Sequence, residues 1–231
     1  MNSPIIVALD TKTVAHANFI INETNKYVWG YKIGPQLLYN NMFSMDLKEL
    51  INSTENIFVD LKFHDIPNTV GESVASIITL KPKMFTVHAA GGRNMIRAAA
   101  TARSAVWSQP GTGPKVIVVT ILTSFSTYSW LQTFPGLDPS LVVQNFLNES
   151  INHGADGVVC SGLEVSYIKS RYPHLITIVP GIRLEPTDDD QARVTTPRQA
   201  IDRGATFIVV GRPIVNAEKP SEVVKKILAS L

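Results

Sequence analysis

The chain has 231 residues, of which 45% are hydrophobic and 17% charged, with a formal net charge of +2. That length supports a full core and lies in the range where an α/β barrel forms one domain, while charge below the usual level of about 25% assigns much of the chain to an interior or interface. The absence of any block of like charge argues against nucleic acid and anionic membrane as partners, no apolar run is long enough to cross a bilayer, and the single cysteine, Cys160, excludes an intramolecular disulfide and a four-cysteine zinc site.

The start, Met1-Asn2-Ser3-Pro4, lacks the basic flank, apolar stretch and small-residue cleavage site of a signal peptide, so a cytoplasmic location is expected. It leads into Ile5-Ile6-Val7-Ala8-Leu9, which ends in Asp10. Similar short runs follow. Val28 to Tyr31 ends in Lys32-Ile33-Gly34, Ile57 to Val59 in Asp60 and Lys62, and Met84 to Val87 in His88 with Gly91-Gly92 close behind. Val116 to Val119 leads to Thr123-Ser124, and Gly157 to Val159 to Cys160-Ser161-Gly162. Leu175 to Val179 ends in Pro180-Gly181-Ile182-Arg183, and Phe207 to Val210 in Gly211-Arg212. Such near-continuous apolar runs suit parallel strands covered on both faces.

Helical stretches separate them. Ser140 to His153 carries apolar residues at helical spacing and closes on Gly154, and Asn94 to Val106 is rich in Ala and Arg. Pro197 and Pro220 stand where helices can begin. Eight strand-plus-helix units with no composition break predict one (β/α)8 TIM barrel, a single domain over residues 1–231. A doubly wound open sheet would want a glycine fingerprint after the first strand, where Asp10-Thr11-Lys12 stands instead.

Polar residues gather at the C-terminal ends of these runs, the end that carries chemistry in such barrels. In the third unit, Asp60-Leu61-Lys62-Phe63-His64-Asp65-Ile66-Pro67-Asn68-Thr69, strand periodicity directs Asp60 and Lys62 to one side, and Asp65 falls where Pro67 already forces a turn. Lys32, Asp60, Lys62 and Asp65 alternate in sign, so each charge is compensated in a partly dry mouth. Lys62 between two carboxylates is held as an ammonium, a placed proton donor beside any developing carbanion. A structural ion-pair network would use the same residue types; convergence of several strand ends on one mouth favours a site.

Gly211 and Arg212, after the eighth run, suit a phosphate cradle of backbone N–H groups and a guanidinium. The polar segment from Arg183 to Thr196 reads as a loop able to close over a substrate, with Asp188, Asp189 and Asp190 pointing outward and the neutral Gln191 inward.

The ten residues from Asp60 to Thr69 resemble the signature of the orotidine 5′-phosphate decarboxylase family. Ala8-Leu9-Asp10, Tyr31-Lys32-Ile33-Gly34, Val87-His88-Ala89-x-Gly91-Gly92, Leu122-Thr123-Ser124, Pro180-Gly181-Ile182-Arg183 and Val210-Gly211-Arg212 extend the resemblance, in the same order, over essentially the whole chain. It implies conversion of orotidine 5′-phosphate to uridine 5′-phosphate and CO2, in de novo pyrimidine synthesis, with neither metal nor cofactor. It also implies that Lys62 protonates C6 of the pyrimidine, that Asp60 lies against the departing carboxylate, and that Lys32 holds the charged array and touches the ribose. Asp10 would bind ribose hydroxyls, Thr123 and Ser124 the pyrimidine edge, and Gln191, Gly211 and Arg212 the phosphate; Arg183 also lies at a ligand-contacting position. Asp65 and Thr69 would enter the neighbouring subunit's site, making a homodimer the functional unit.

A metal-dependent sugar-phosphate decarboxylase or epimerase on a similar barrel can carry Asp-x-Lys-x-x-Asp, but Ile66-Pro67-Asn68-Thr69 speaks against it. A catalytically dead phosphate-ligand sensor would not need the intact charge array. Of the remaining polar residues, His88 is expected to be a hydrogen-bonded strand-end residue and His64 to stay outside the chemistry. His16, His153 and His174 form no metal spacing, Cys160 is expected in the core, and Trp29, Trp107 and Trp130 in core or interface.

Overall fold

The computed structural model describes residues 3–107, 113–184 and 195–231. Among these residues eight parallel strands form a closed barrel in chain order: β1 (Ile5–Ala8), β2 (Gly30–Ile33), β3 (Ile57–Phe63), β4 (Met84–His88), β5 (Lys115–Val119), β6 (Gly157–Val159), β7 (Ile176–Val179) and β8 (Phe207–Val210). The pairs Ile5↔Ile208 and Val7↔Val210 join β8 to β1 and complete the (β/α)8 barrel.

Strand alternation explains why the runs are apolar throughout. In β1, Ile6 and Ala8 point inward to an interior cluster with Phe58, Met84, Ile117, Ile178 and Val209. Ile5 and Val7 point outward to a second core shared with the helices, where Val59, Phe85 and Val118 also lie. Cys160 is fully buried there, and burial pushes its thiol pKa up, as for a core residue rather than a nucleophile.

The helices begin and end for local reasons. The expected helix at 140–153 is Pro139–Asn152; Asp138 caps it by accepting the Ser140 N–H at 2.8 Å, and Gly154 follows at φ 103°. Pro197 and Pro220 open Pro197–Asp202 and Pro220–Ala229, where a missing N–H costs nothing. The helix expected from Asn94 starts at Gly92. The units are less regular than one helix per strand. Pro35–Asn40 and Met45–Ser53 both separate β2 from β3, and Thr127–Thr133 precedes Pro139–Asn152 after β5. No helix of the described residues is long and apolar enough to cross a membrane.

Two strands depart from expectation. β2 starts at Gly30, not Val28, where the chain runs so close to Asn56 that an added Cβ would lie 2.2 Å from the Asn56 carbonyl oxygen. β3 does not stop at Val59 but continues to Phe63. Its pairing shifts between Val59↔Phe85 and Phe63↔Val87, four steps on β3 against two on β4, a bulge-like break in the ladder with two extra residues on β3. Lys62 sits in this bulge at φ 49°, a left-handed conformation that costs a non-glycine residue about 1–2 kcal/mol. Asp60 and Lys62 share the cavity side, as the period-two reading expects, although the backbone at Lys62 has left the strand conformation.

Candidate active site

The C-terminal ends of the strands surround a cavity of about 290 Å³. Its floor is apolar, made by Ala8, Phe58, Val119, Val159, Ile178 and Val209 from the barrel interior. Its rim is polar: Asp10, Lys32, Asp60, Lys62, Thr123, Ser124, Arg183, Gly211 and Arg212 all line it, as expected from the strand ends.

Asp60 is the centre of the charged group. Its Oδ2 receives Lys62 Nζ at 2.9 Å and Lys32 Nζ at 3.2 Å, and its Oδ1 receives the Thr86 hydroxyl at 3.0 Å. Burial by itself would raise the Asp60 pKa. The charges of Lys32 and Lys62, with hydrogen bonds from Lys62 and Thr86, overcome this and hold the carboxyl below the usual carboxylate value. Lys32 answers from β2. Burial would lower its pKa, but Asp60 and Asp10, whose Oδ1 lies 3.3 Å from Nζ, raise it above the usual lysine value. Gly34 sits just beyond, where a Cβ would come within 3.3 Å of Asp10 Oδ1 and 3.4 Å of Lys32 Nζ.

The two lysines are thus placed differently. The Lys32 side chain is 12% exposed and lies between two carboxylates, whereas the Lys62 side chain is 36% exposed and, among the described residues, pairs with Asp60. Lys62 lines the cavity. The expected frame of two carboxylates around it is half made within one chain. Asp65 is exposed, lies outside the cavity lining, and accepts the Ile66 N–H at 2.6 Å. Thr69, in the first turn of Pro67–Ile78, is likewise exposed and outside the lining. The turn forced by Pro67 carries both away from the mouth.

Arg183 is 7% exposed and donates from Nη1 to the Ile182 carbonyl at 2.8 Å. It follows Gly181, whose φ of 72° makes the turn out of β7. Arg212 is exposed on the first turn after β8. Gln191, Glu185 and Asp188 to Asp190 lie outside the described residues.

His88 ends β4, and its Nδ1 accepts the Ala90 N–H at 3.2 Å, as anticipated for a strand-end residue. Its ring stacks on His64 at 5.0 Å; burial first, then the charges of His64 and Lys62, lower its pKa. Sequence reasoning missed Thr86, whose only trace is one hydroxyl inside the run Met84-Phe85-Thr86-Val87. Among the described residues no three His, Cys, Asp or Glu side chains are grouped to hold a metal ion.

Residues 3–227 match the model of a family described as "Orotidine 5'-phosphate decarboxylase / HUMPS family". A protein of that first name from Carboxydothermus hydrogenoformans is 37% identical over 233 residues, covering 100% of this chain and 97% of that protein. Another, from Heliobacterium modesticaldum, is 39% identical, covering 98% and 95%. Among solved structures, an orotidine 5′-phosphate decarboxylase from Lactobacillus acidophilus superposes with a TM-score of 0.81 at 33% identity, over 99% of each chain.

Proposed function

Because the chain belongs to the orotidine 5′-phosphate decarboxylase / HUMPS family, we propose that its barrel mouth converts orotidine 5′-phosphate to uridine 5′-phosphate and CO2, as a carboxy-lyase of de novo pyrimidine synthesis. The observation that carries this reading is the Lys62–Asp60–Lys32 chain of contacts at 2.9 and 3.2 Å above an apolar floor.

The chemistry follows from where charge develops. The bond between C6 and the carboxylate carbon breaks, CO2 leaves without a proton, and the electron pair remains on C6. The barrier is that localised carbanion, which a fixed ammonium stabilises before donating a proton to it. Lys62 is suited to the task because it opens to the cavity. Lys32, occupied by two carboxylates, instead holds Asp60 and Asp10 in place and serves the ribose side. Asp60 stays ionised against the substrate carboxylate, and departure of neutral CO2 relieves that repulsion.

The remaining roles are assigned on position. Asp10 serves the ribose hydroxyls, Thr123 and Ser124 the pyrimidine edge, and Gly211 and Arg212 the phosphate, with Gln191 beside them and Arg183 as a further ligand contact. Phosphate contacts remote from C6 supply binding energy for orientation at the reacting centre. Asp65 and Thr69 complete the site of a second copy in a homodimer. Their exposure outside the cavity of their own chain supports this.

The test is loss of orotidine 5′-phosphate absorbance in the presence of a chelator. Turnover to uridine 5′-phosphate is expected; no turnover, or turnover abolished by the chelator, would count against the proposal.

A further inference from the structure

Thr86 is fully buried in the middle of β4, on the strand that faces the β3 bulge. The bulge takes the Lys62 N–H out of the regular ladder, and the Thr86 hydroxyl accepts it at 2.8 Å. A backbone N–H can only donate, so the hydroxyl's own proton is free for another acceptor. It goes to Asp60 Oδ1 at 3.0 Å. The directions of both bonds are fixed by this chemistry.

One oxygen atom therefore joins the backbone of one charged residue to the side chain of the other. With Oδ2 of Asp60 held by the two ammonium groups, the Thr86 contact occupies the opposite side of the carboxylate and fixes its rotation. The same contact satisfies the N–H of a residue held at φ 49°, a backbone state that persists only when its surroundings determine it. Three other buried hydroxyls are placed differently: among the described residues Thr120 and Ser150 find no hydrogen-bond partner, and Thr177 meets Thr206 near the opposite end of its strand.

We infer that Thr86 is a positioning residue for the decarboxylation, its hydroxyl locking the Asp60 carboxylate to the Lys62 backbone so that the proton donor and the repelling carboxylate keep one mutual geometry. This rests on the reaction proposed above. Thr86 is fully buried and is not among the residues that line the cavity, so its effect is expected on the chemical step rather than on nucleotide binding.

The experiment compares the native chain with Thr86→Val, which keeps the shape and removes the hydroxyl, and Thr86→Ser, which keeps the hydroxyl. For each, kcat and KM for orotidine 5′-phosphate and Kd for uridine 5′-phosphate are measured. Loss of a hydrogen bond to a charged group predicts that Thr86→Val lowers kcat about ten- to a hundred-fold, with KM and Kd changed by less than about three-fold, and that Thr86→Ser stays near native. Should Thr86→Val fail to bind nucleotide, Thr86→Ala against Thr86→Ser isolates the hydroxyl with the methyl absent from both. A Thr86→Val enzyme as fast as native, or a Thr86→Ser enzyme as slow as the variants lacking the hydroxyl, overturns the inference alone. Absence of turnover by the native chain overturns the proposed reaction, and the inference with it.

Discussion

Lys62 Nζ lies 2.9 Å from Asp60 Oδ2, although the backbone at Lys62 has left the strand conformation for φ 49°. A regular strand would bring the two side chains to one face but give Lys62 no special direction along the barrel axis. The bulge re-aims it over the cavity, a use of bulges common beside active sites. The strain in that residue, the buried hydroxyl of Thr86 and the doubly held carboxylate of Asp60 form one local device.

Asp65, exposed and outside the cavity of its own chain, puts the proposed sharing of sites between subunits to a direct test. Lys62→Ala and Asp65→Asn homodimers are each expected to be nearly inactive. Mixed after subunit exchange, they should recover up to about a quarter of native activity, because random pairing makes half of the dimers mixed and each mixed dimer carries one intact site. Activity after mixing, with exchange verified by tagged chains, is the measurement. Recovery absent despite exchange would mean that Asp65 acts within its own chain.

Stability should fall on mild acidification because of His88. Its folded pKa is below the usual 6.5, so as pH drops the unfolded chain takes up the proton first. The contribution of neutral His88 is complete above about 6.5 and is lost as pH falls through the folded value. After burial, His64 and Lys62 are the neighbours that act on it electrostatically among the described residues. Asp60, also lowered, acts in the same sense but only below the usual carboxylate value of 3.8. Thermal midpoints measured from pH 7.5 to 5 should therefore decline less in His88→Asn, which keeps a side-chain acceptor for the Ala90 N–H. Parallel curves for the two proteins would remove His88 as the cause.

Gly30→Ala tests the close approach of β2 and β3. Its Cβ would meet the Asn56 backbone at 2.2 Å, and backbone cannot swing aside as a side chain can. Overpacking of this kind costs about 1–3 kcal/mol or more, and each kcal/mol lowers the melting midpoint by about 2–4 °C at this chain length. An unchanged midpoint in Gly30→Ala would contradict the packing described.

The barrel was legible because its strands are short, doubly buried and apolar, and because Asp10, Lys32, Asp60, Lys62, Arg183 and Arg212 each follow such a run. Those signals are local. The bulge was not legible, since it arises from how β3 registers against β4, more than twenty residues away. Nor was Thr86, because one hydroxyl in an apolar run reads as a tolerated core threonine until its partners are known. Asp65 stands between these cases. Its charge was visible in the signature, but its direction depends on the turn before Pro67, which takes it away from the Lys62 of its own chain.

The central claim is that Lys62 supplies the proton and the positive charge at C6, and Lys62→Ala tests it most directly. Turnover of orotidine 5′-phosphate and affinity for uridine 5′-phosphate are measured on native and variant chains under the same conditions. Losing a placed acid and a preorganised charge together predicts a fall in kcat of at least about a thousand-fold, with nucleotide affinity largely retained. Decarboxylation near the native rate in the Lys62→Ala chain would contradict the account.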